Sequence, residues 1–313
     1  MSIIFRAAGK ALPAQRCTND DLSKKIDTTD EWIRSHTGIG ARYLASEEET
    51  GSYLGTKACK QALEKAGVAA SEVDLIICST ATTDYNGFPS NACLMQESLE
   101  AVNAACFDLS AACSGFIYGL DCAEGLMLRH NWKYALVCGS EILSNITDWT
   151  DRSTCVLFGD AAGAVLLENK ADAGTQGLGS FILGAQGTGS KFLYNEYGGK
   201  LTMDGHAVYD FAVGIMTKII KDLMEKENLT EHDVDFFVCH QANERILKAS
   251  ARRLGFKIDK FIFNMEEYGN TSSASIPITL VDMEERGQLQ KGMTVVSAAF
   301  GAGLTYSGCV FRW

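Results

Sequence analysis

Residues 57–79, KACKQALEKAGVAASEVDLIICS, and residues 218–240, KIIKDLMEKENLTEHDVDFFVCH, carry one pattern twice. Each begins as an amphipathic helix, passes through a short polar connection, and ends as Asp followed by four residues of buried strand. The likeness continues outward. WKYALVCGSE (132–141) is matched by KGMTVVSAAFG (291–301), and ACFDLSAAC (105–113) by FIFNMEEYGN (261–270). A duplicated α/β unit follows, with one half over 1–170 and the other over 171–313. The runs LIIC and ALVC lack polar alternation, as expected of strands covered by helices on both faces. Two such sheets stacked through shared helices predict a layered α-β-α-β-α body.

Composition narrows the function. The chain has 313 residues, 46% of them hydrophobic, with only 3 Pro, enough for a sizeable core and against disorder. The opening MSIIFRAAGKALPAQ has no signal-peptide run, and no segment reaches the apolar length of a membrane helix. A cytosolic, soluble protein is expected. The 28 basic and 39 acidic residues give a formal charge of −11, which excludes nucleic acid or an anionic membrane as the main partner. Eleven cysteines without CxxC spacing predict neither a disulfide framework nor a metal site. The segment GAQGTGSKFLYNEYGGK (184–200), rich in Gly and without periodicity, predicts a loop. Its GSK reverses the order that a phosphate-binding loop needs.

Three residues stand at carboxyl ends of predicted strands. Cys113 closes ACFDL and opens a helix whose apolar positions Phe116, Ile117, Leu120, Ala123 and Met127 recur at helical spacing. That place puts the sulfur against a positive helix end, which favours thiolate, although a small residue needed for packing would look the same. His240 ends FFVC, where a structural hydrogen-bonding role is the plain alternative. Asn270 lies in YGNTSSAS, a turn by its GN alone, in the second-half loop related to that of Cys113. Three such positions in two related halves converge on one crevice, the place where open α/β sheets bind ligands. Arg245, Lys248, Arg252 and Arg253 share one helix face. This is an ordinary solvated stripe, or on so acidic a chain a docking face for an acidic partner.

The chain resembles, over essentially its whole length, the β-ketoacyl-acyl-carrier-protein synthase III enzymes of the thiolase superfamily. The resemblance rests on TDEWIRSHTGIGAR (29–42), FPSNA (88–92), DLSAACSGF (108–116), TDRSTCVLFGDAAGAV (150–165), HQANERI (240–246), YGNTSSASIP (268–277) and FGAGLTYSG (300–308). It implies the five-layered thiolase fold, a homodimer, and a catalytic set of Cys113, His240 and Asn270. It further implies condensation of a short acyl-CoA with malonyl-acyl-carrier protein, with coenzyme A thioester as substrate and no cofactor or metal. The backbone N–H groups of Cys113 and Ala302 would hold the oxyanion. Trp32 and Arg152 would clasp the CoA adenine, and Asn243 would meet the pantetheine arm. Phe88 would cross the dimer interface to wall the partner's acyl pocket beside Leu143 and Phe158, with Phe300 as gate. The basic stripe Arg245, Lys248, Arg252 and Arg253 would dock the carrier protein.

The chain departs from this pattern at His36, where an arginine is expected near the CoA phosphates, and at Asp210, where the docking surface is often basic. Leu304 and Tyr306 replace larger aromatics, and the stretch 184–203 is short, with consequences for the acyl pocket. A paralogue of specialised, polyketide-type metabolism using an unusual starter is the alternative reading. A silent partner subunit is disfavoured by the retained Cys113.

Overall fold

The computed structural model describes residues 2–313. Two sheets dominate it. The first holds β1 (Ser2–Ala11), β4 (Leu75–Ser79), β5 (Ala105–Leu109), β6 (Tyr134–Glu141) and β7 (Ala161–Lys170), in spatial order β1-β7-β6-β4-β5. The second holds β8 (Gly177–Ala185), β11 (Phe236–Phe237), β12 (Thr294–Gly301) and β13 (Thr305–Arg312), in order β8-β13-β12-β11. Directions agree strand for strand: β6 runs parallel to β4 and antiparallel to β7, as β12 does to β11 and β13. The match of 105–113 with 261–270 survives only in part. Where β5 lies in the first sheet, the second has a single parallel bridge, Phe237 to Phe261, followed by the short helix α8 (Met265–Tyr268).

Helices α3 (Gly51–Ala66) and α4 (Asn91–Leu99) cover the outer face of the first sheet, packing Leu54, Ala58, Ala62 and Met95 on Ile76, Cys78 and Leu136. On the outer face of the second, α6 (Gly205–Lys226) and α7 (Glu244–Leu254) bury Met216, Ile220 and Leu247 against Val296, Ala298 and Val310. Between the sheets run α5 (Gly115–His130) and α9 (Ser275–Glu285). Their Phe116, Leu120, Ile276 and Leu280 meet Ile77 and Val137 on one side and Val295 and Phe311 on the other. This is the five-layered thiolase arrangement. Every residue of β4, β6 and β12 is buried, the result of helices on both faces. The helices α1 (Asn19–Ser23) and α2 (Asp30–Thr37) lead into the short strand β3 (Ala41–Leu44), which pairs with β2 (Gln15–Thr18). No helix among the described residues is long and apolar enough to cross a membrane.

The expected loop 184–200 is folded instead. β8 runs on to Ala185, a 3-10 turn spans Gly187–Phe192, and β9 (Leu193–Asn195) pairs with β10 (Leu201–Met203). Reciprocal bonds between Gln186 and Leu304, and one from Leu201 N–H to the Ile146 carbonyl, tie this ribbon down. Long-range backbone pairing of this kind supplies order that local periodicity does not record.

Candidate active site

The central helices present their N-termini side by side, each preceded by a 3-10 turn: Ala112–Ser114 before α5 and Ser272–Ala274 before α9. Both turns begin with a non-glycine residue in the left-handed region, Ala112 at φ +47° and Ser272 at φ +50°. Such backbone costs about 1–3 kcal/mol and persists only where its surroundings over-determine it. Cys113 sits on the first turn. It corresponds to Ser273 on the second, so Asn270 lies three residues before the true counterpart of Cys113. Packing here is backbone to backbone: a Cβ on Gly301 would come within 2.7 Å of the Cys113 nitrogen, and one on Gly139 within 2.3 Å of the Ser273 carbonyl oxygen.

Two cavities meet at Cys113. One, of about 280 Å³, is lined by Cys113, His240, Asn270 and Phe300 and continues to Trp32, His36 and Asn243. The other, of about 430 Å³, is lined by Cys113, Leu143, Phe158, Leu193, Ser272 and Ala302. The fold therefore brings Cys113, His240 and Asn270 to one cavity wall. The expected thiolate is not the resting state, since burial pushes the Cys113 thiol up to about 12, with the Glu141 carboxyl adding to the rise and the Ser272 hydroxyl opposing it. Desolvation of the charged form outweighs the favourable helix end.

His240 is 1% exposed, and burial lowers its imidazole to about 3, so the ring is neutral. Its Nδ1 lies 2.8 Å from Ser275 Oγ, while its Nε2 is buried without a partner. Ser275 Oγ also receives the Gln241 N–H at 3.4 Å. The acceptor available to the Ser275 hydroxyl proton is thus His240 Nδ1, and the ring proton is assigned to Nε2, facing the cavity. Asn270 is fixed the same way. Its Oδ1 accepts the Ser272 N–H at 2.9 Å, which turns Nδ2 outward as a donor, and its backbone pairs with Leu157 and Gly159. Phe300 stands edge-on to His240, ring centroids 5.4 Å apart.

Family models for 3-oxoacyl-[acyl-carrier-protein] synthase III match residues 107–187 and, as the C-terminal part, 224–313. The beta-ketoacyl-[acyl-carrier-protein] synthase III of Clostridium acetobutylicum is 42% identical over 326 aligned positions, covering 100% of this chain and 99% of its own. The chain belongs to this family. It is accordingly a condensing acyltransferase. The Geobacillus kaustophilus synthase III is 46% identical, covering 97% of both chains. The crystal structure of the synthase III from Aquifex aeolicus superposes with a TM-score of 0.96 at 40% identity, covering 99% of this chain and 100% of its own. A priming beta-ketosynthase of a polyketide biosynthetic pathway superposes at 0.93 with 33% identity, covering 99% and 96%.

The remaining synthase positions fall around these cavities with some changes of partner. The Trp32 ring is stacked on His36 at 4.4 Å, and the Arg152 guanidinium lies 4.8 Å from its centroid while bonding the Asp27 carbonyl. Asn243 caps α7 through Oδ1 and donates Nδ2 to the His36 carbonyl, so both its polar atoms are engaged. The basic stripe is only half available. Arg245 bonds the Ser35 carbonyl and Lys248 pairs with Glu244 at 2.7 Å, whereas Arg252 and Arg253 project into solvent. Asp210 is exposed on α6. Phe88 is 87% exposed, far outside the core. Sequence reading missed Ser272, Ser275 and Glu141. The serine run after Asn270 and the lone acid ending β6 were the available signals.

Proposed function

We propose that the protein condenses a short acyl-CoA with malonyl-acyl-carrier protein to give a β-ketoacyl-carrier protein, starting type II fatty-acid synthesis in the cytosol. The supporting observation is the pairing of Cys113, where two cavities meet, with two fixed donors that have no protein acceptor in view: His240 Nε2–H and Asn270 Nδ2–H. In the first half-reaction Cys113 sulfur bonds the acyl carbon and coenzyme A leaves as thiol. The backbone N–H groups of Cys113 and Ala302 hold the tetrahedral oxyanion. The acyl chain enters the 430 Å³ cavity beside Leu143 and Phe158.

In the second half-reaction the malonyl thioester carbonyl accepts from His240 and Asn270. The bond from the malonyl α-carbon to the carboxylate breaks, CO2 departs, and the electron pair becomes an enolate held by the two donors. The enolate carbon attacks the acyl carbon, the C–S bond breaks, and the departing Cys113 thiolate takes a proton from solvent. Neutral donors aimed at charge that exists only after decarboxylation act on the transition state rather than on bound substrate. Neither half needs a cofactor or metal.

Trp32 and Arg152 take the adenine once the guanidinium swings off the indole, with Phe300 beside the channel and Asn243 on its wall. Arg252 and Arg253, with Arg245 and Lys248 behind them, receive the acidic carrier. The working unit is a homodimer in which exposed Phe88 inserts into its partner. The fatty-acid reading is preferred to a polyketide-type role because the synthase III relatives at 42–46% identity exceed the 33% of the priming ketosynthase. Intact-protein mass after incubation with a panel of acyl-CoAs tests the proposal. An acyl adduct on the wild type and none on Cys113→Ala supports it; no adduct from any acyl-CoA refutes it.

A further inference from the structure

Loading Cys113 requires the thiol proton to go somewhere, and the site described so far offers no acceptor. With the ring proton assigned to Nε2, His240 presents a donor and no lone pair to the cavity it shares with Cys113. The thiol itself holds its proton firmly, pushed up to about 12 by burial. Beneath Cys113 lies a carboxylate that the reaction outlined above does not use.

Glu141 ends β6 with no exposed surface. Its Oε1 accepts from the hydroxyls of Ser272 and Ser273, each at 2.9 Å. Its Oε2 accepts from the Ala81 N–H at 3.0 Å and from the hydroxyls of Thr80 and Thr82. Five neutral donors and no cation surround it. Burial raises the proton affinity of this carboxyl while the donors around it oppose the rise, which leaves a basic oxygen within reach of Ser272. Ser272 borders Cys113 in the second cavity and donates to Glu141, while its N–H fixes Asn270. Its backbone, at φ +50°, is held in a conformation that a serine seldom adopts.

We propose that Ser272 and Glu141 form a proton relay for the Cys113 thiol, Ser272 passing the proton and Glu141 receiving it during acyl loading. As sulfur bonds the acyl carbon, the thiol proton moves to Ser272 Oγ and the Ser272 proton moves to Glu141 Oε1. When the thioester C–S bond breaks, the departing coenzyme A thiolate takes the proton back along the same path, so one thiol replaces another with no net change. Transfer coupled to attack avoids forming a free thiolate beside an anion. The relay rests on the loading step proposed above.

The test compares wild type with Glu141→Gln and Ser272→Ala in two reactions of Cys113, both followed by intact mass. Acyl transfer from acetyl-CoA needs the relay. Alkylation by iodoacetamide needs only thiolate, which the loss of the Glu141 charge makes easier to form. The expected result for both variants is acyl transfer about 100-fold slower. Alkylation is expected to be unchanged or faster in Glu141→Gln, and in Ser272→Ala, which loses a hydroxyl that lowers the thiol's proton affinity, to fall by far less than acyl transfer. Acyl transfer within about 10-fold of wild type overturns the relay, and so does a parallel fall in both rates, which marks a structural role. A wild type that is alkylated yet takes no acyl group removes the loading step itself, and the relay with it.

Discussion

Replacing Ser275 by Ala tests whether the hydroxyl sets the direction of His240. In the wild type the hydroxyl lies 2.8 Å from Nδ1 in a site where Ser275 is 2% exposed. Removing it leaves Nδ1 buried without a donor and frees the ring proton to sit on either nitrogen. A neutral hydrogen bond contributes about 0.5–1.5 kcal/mol, and an orphaned buried acceptor costs about 1–3 kcal/mol. A loss of about 1.5–2 kcal/mol of enolate stabilisation corresponds to roughly a 10–30-fold slower decarboxylation. That is less than the 10²–10³-fold expected when a donor is removed outright, as in His240→Ala. The assay is release of CO2 from malonyl-acyl-carrier protein, run beside acyl-adduct formation from acetyl-CoA. Decarboxylation should fall while adduct formation stays within about threefold. Unchanged CO2 release would show that Ser275 does not orient the ring, and equal losses in both assays would show a general collapse of the site.

Three further outcomes follow from the geometry. His240 is held at about 3 against an ordinary 6.5, so its neutral form adds stability above pH 6.5 that is lost as pH falls toward 3. Urea titrations should show wild type losing up to roughly 5 kcal/mol more than His240→Asn over that window, and parallel curves would contradict the assignment. In the homodimer proposed above, Phe88→Asp should give monomers in sedimentation. Losing a buried aromatic worth about 1.5–3 kcal/mol twice per dimer weakens association by roughly 10²–10⁴-fold, and an unchanged dimer would place the interface elsewhere. Gly301→Ala places a Cβ 2.7 Å from the Cys113 nitrogen, with backbone rather than a movable side chain in the way. It should cost about 1–3 kcal/mol in thermal unfolding and abolish acyl loading, and wild-type values in both would deny the close approach.

The layered fold was legible because it rests on local pattern: unbroken apolar runs such as LIIC and ALVC, each after an amphipathic helix, and the repetition of that unit. What the pattern did not show is where pairing lapses. FIFNMEEYGN reads like the counterpart of a strand, yet in the second sheet only Phe261 pairs, and the chain turns into α8. The ribbon 193–203 was invisible for the opposite reason, since Leu201 is held by Ile146, and Gln186 ahead of the ribbon by Leu304, both far away in sequence. At the site, residues at strand ends could be picked out one by one. The polar contacts that orient them join Glu141 to Ser272 across 131 positions and His240 to Ser275 across 35, and no spacing rule encodes such pairs.

Thiol acidity does not set Cys113 apart from Cys239. Burial pushes Cys239 up to about 12 as well, one residue before His240, yet Cys239 has no exposed surface and lines neither cavity at Cys113. Burial thus raises both thiols alike, and their difference lies in access and in what can accept the proton. Cys113 opens onto both cavities and borders Ser272, whereas Cys239 is packed beneath strand and helix. A helix end that lowers thiol affinity would make a cysteine reactive toward every electrophile that reaches it. A thiol kept protonated until an acyl carbon and a proton acceptor are both in place reacts with far fewer. On this argument the strained turn at Ser272 and the buried charge at Glu141 are the sources of selectivity, and the helix dipole read from the sequence is the smaller contribution.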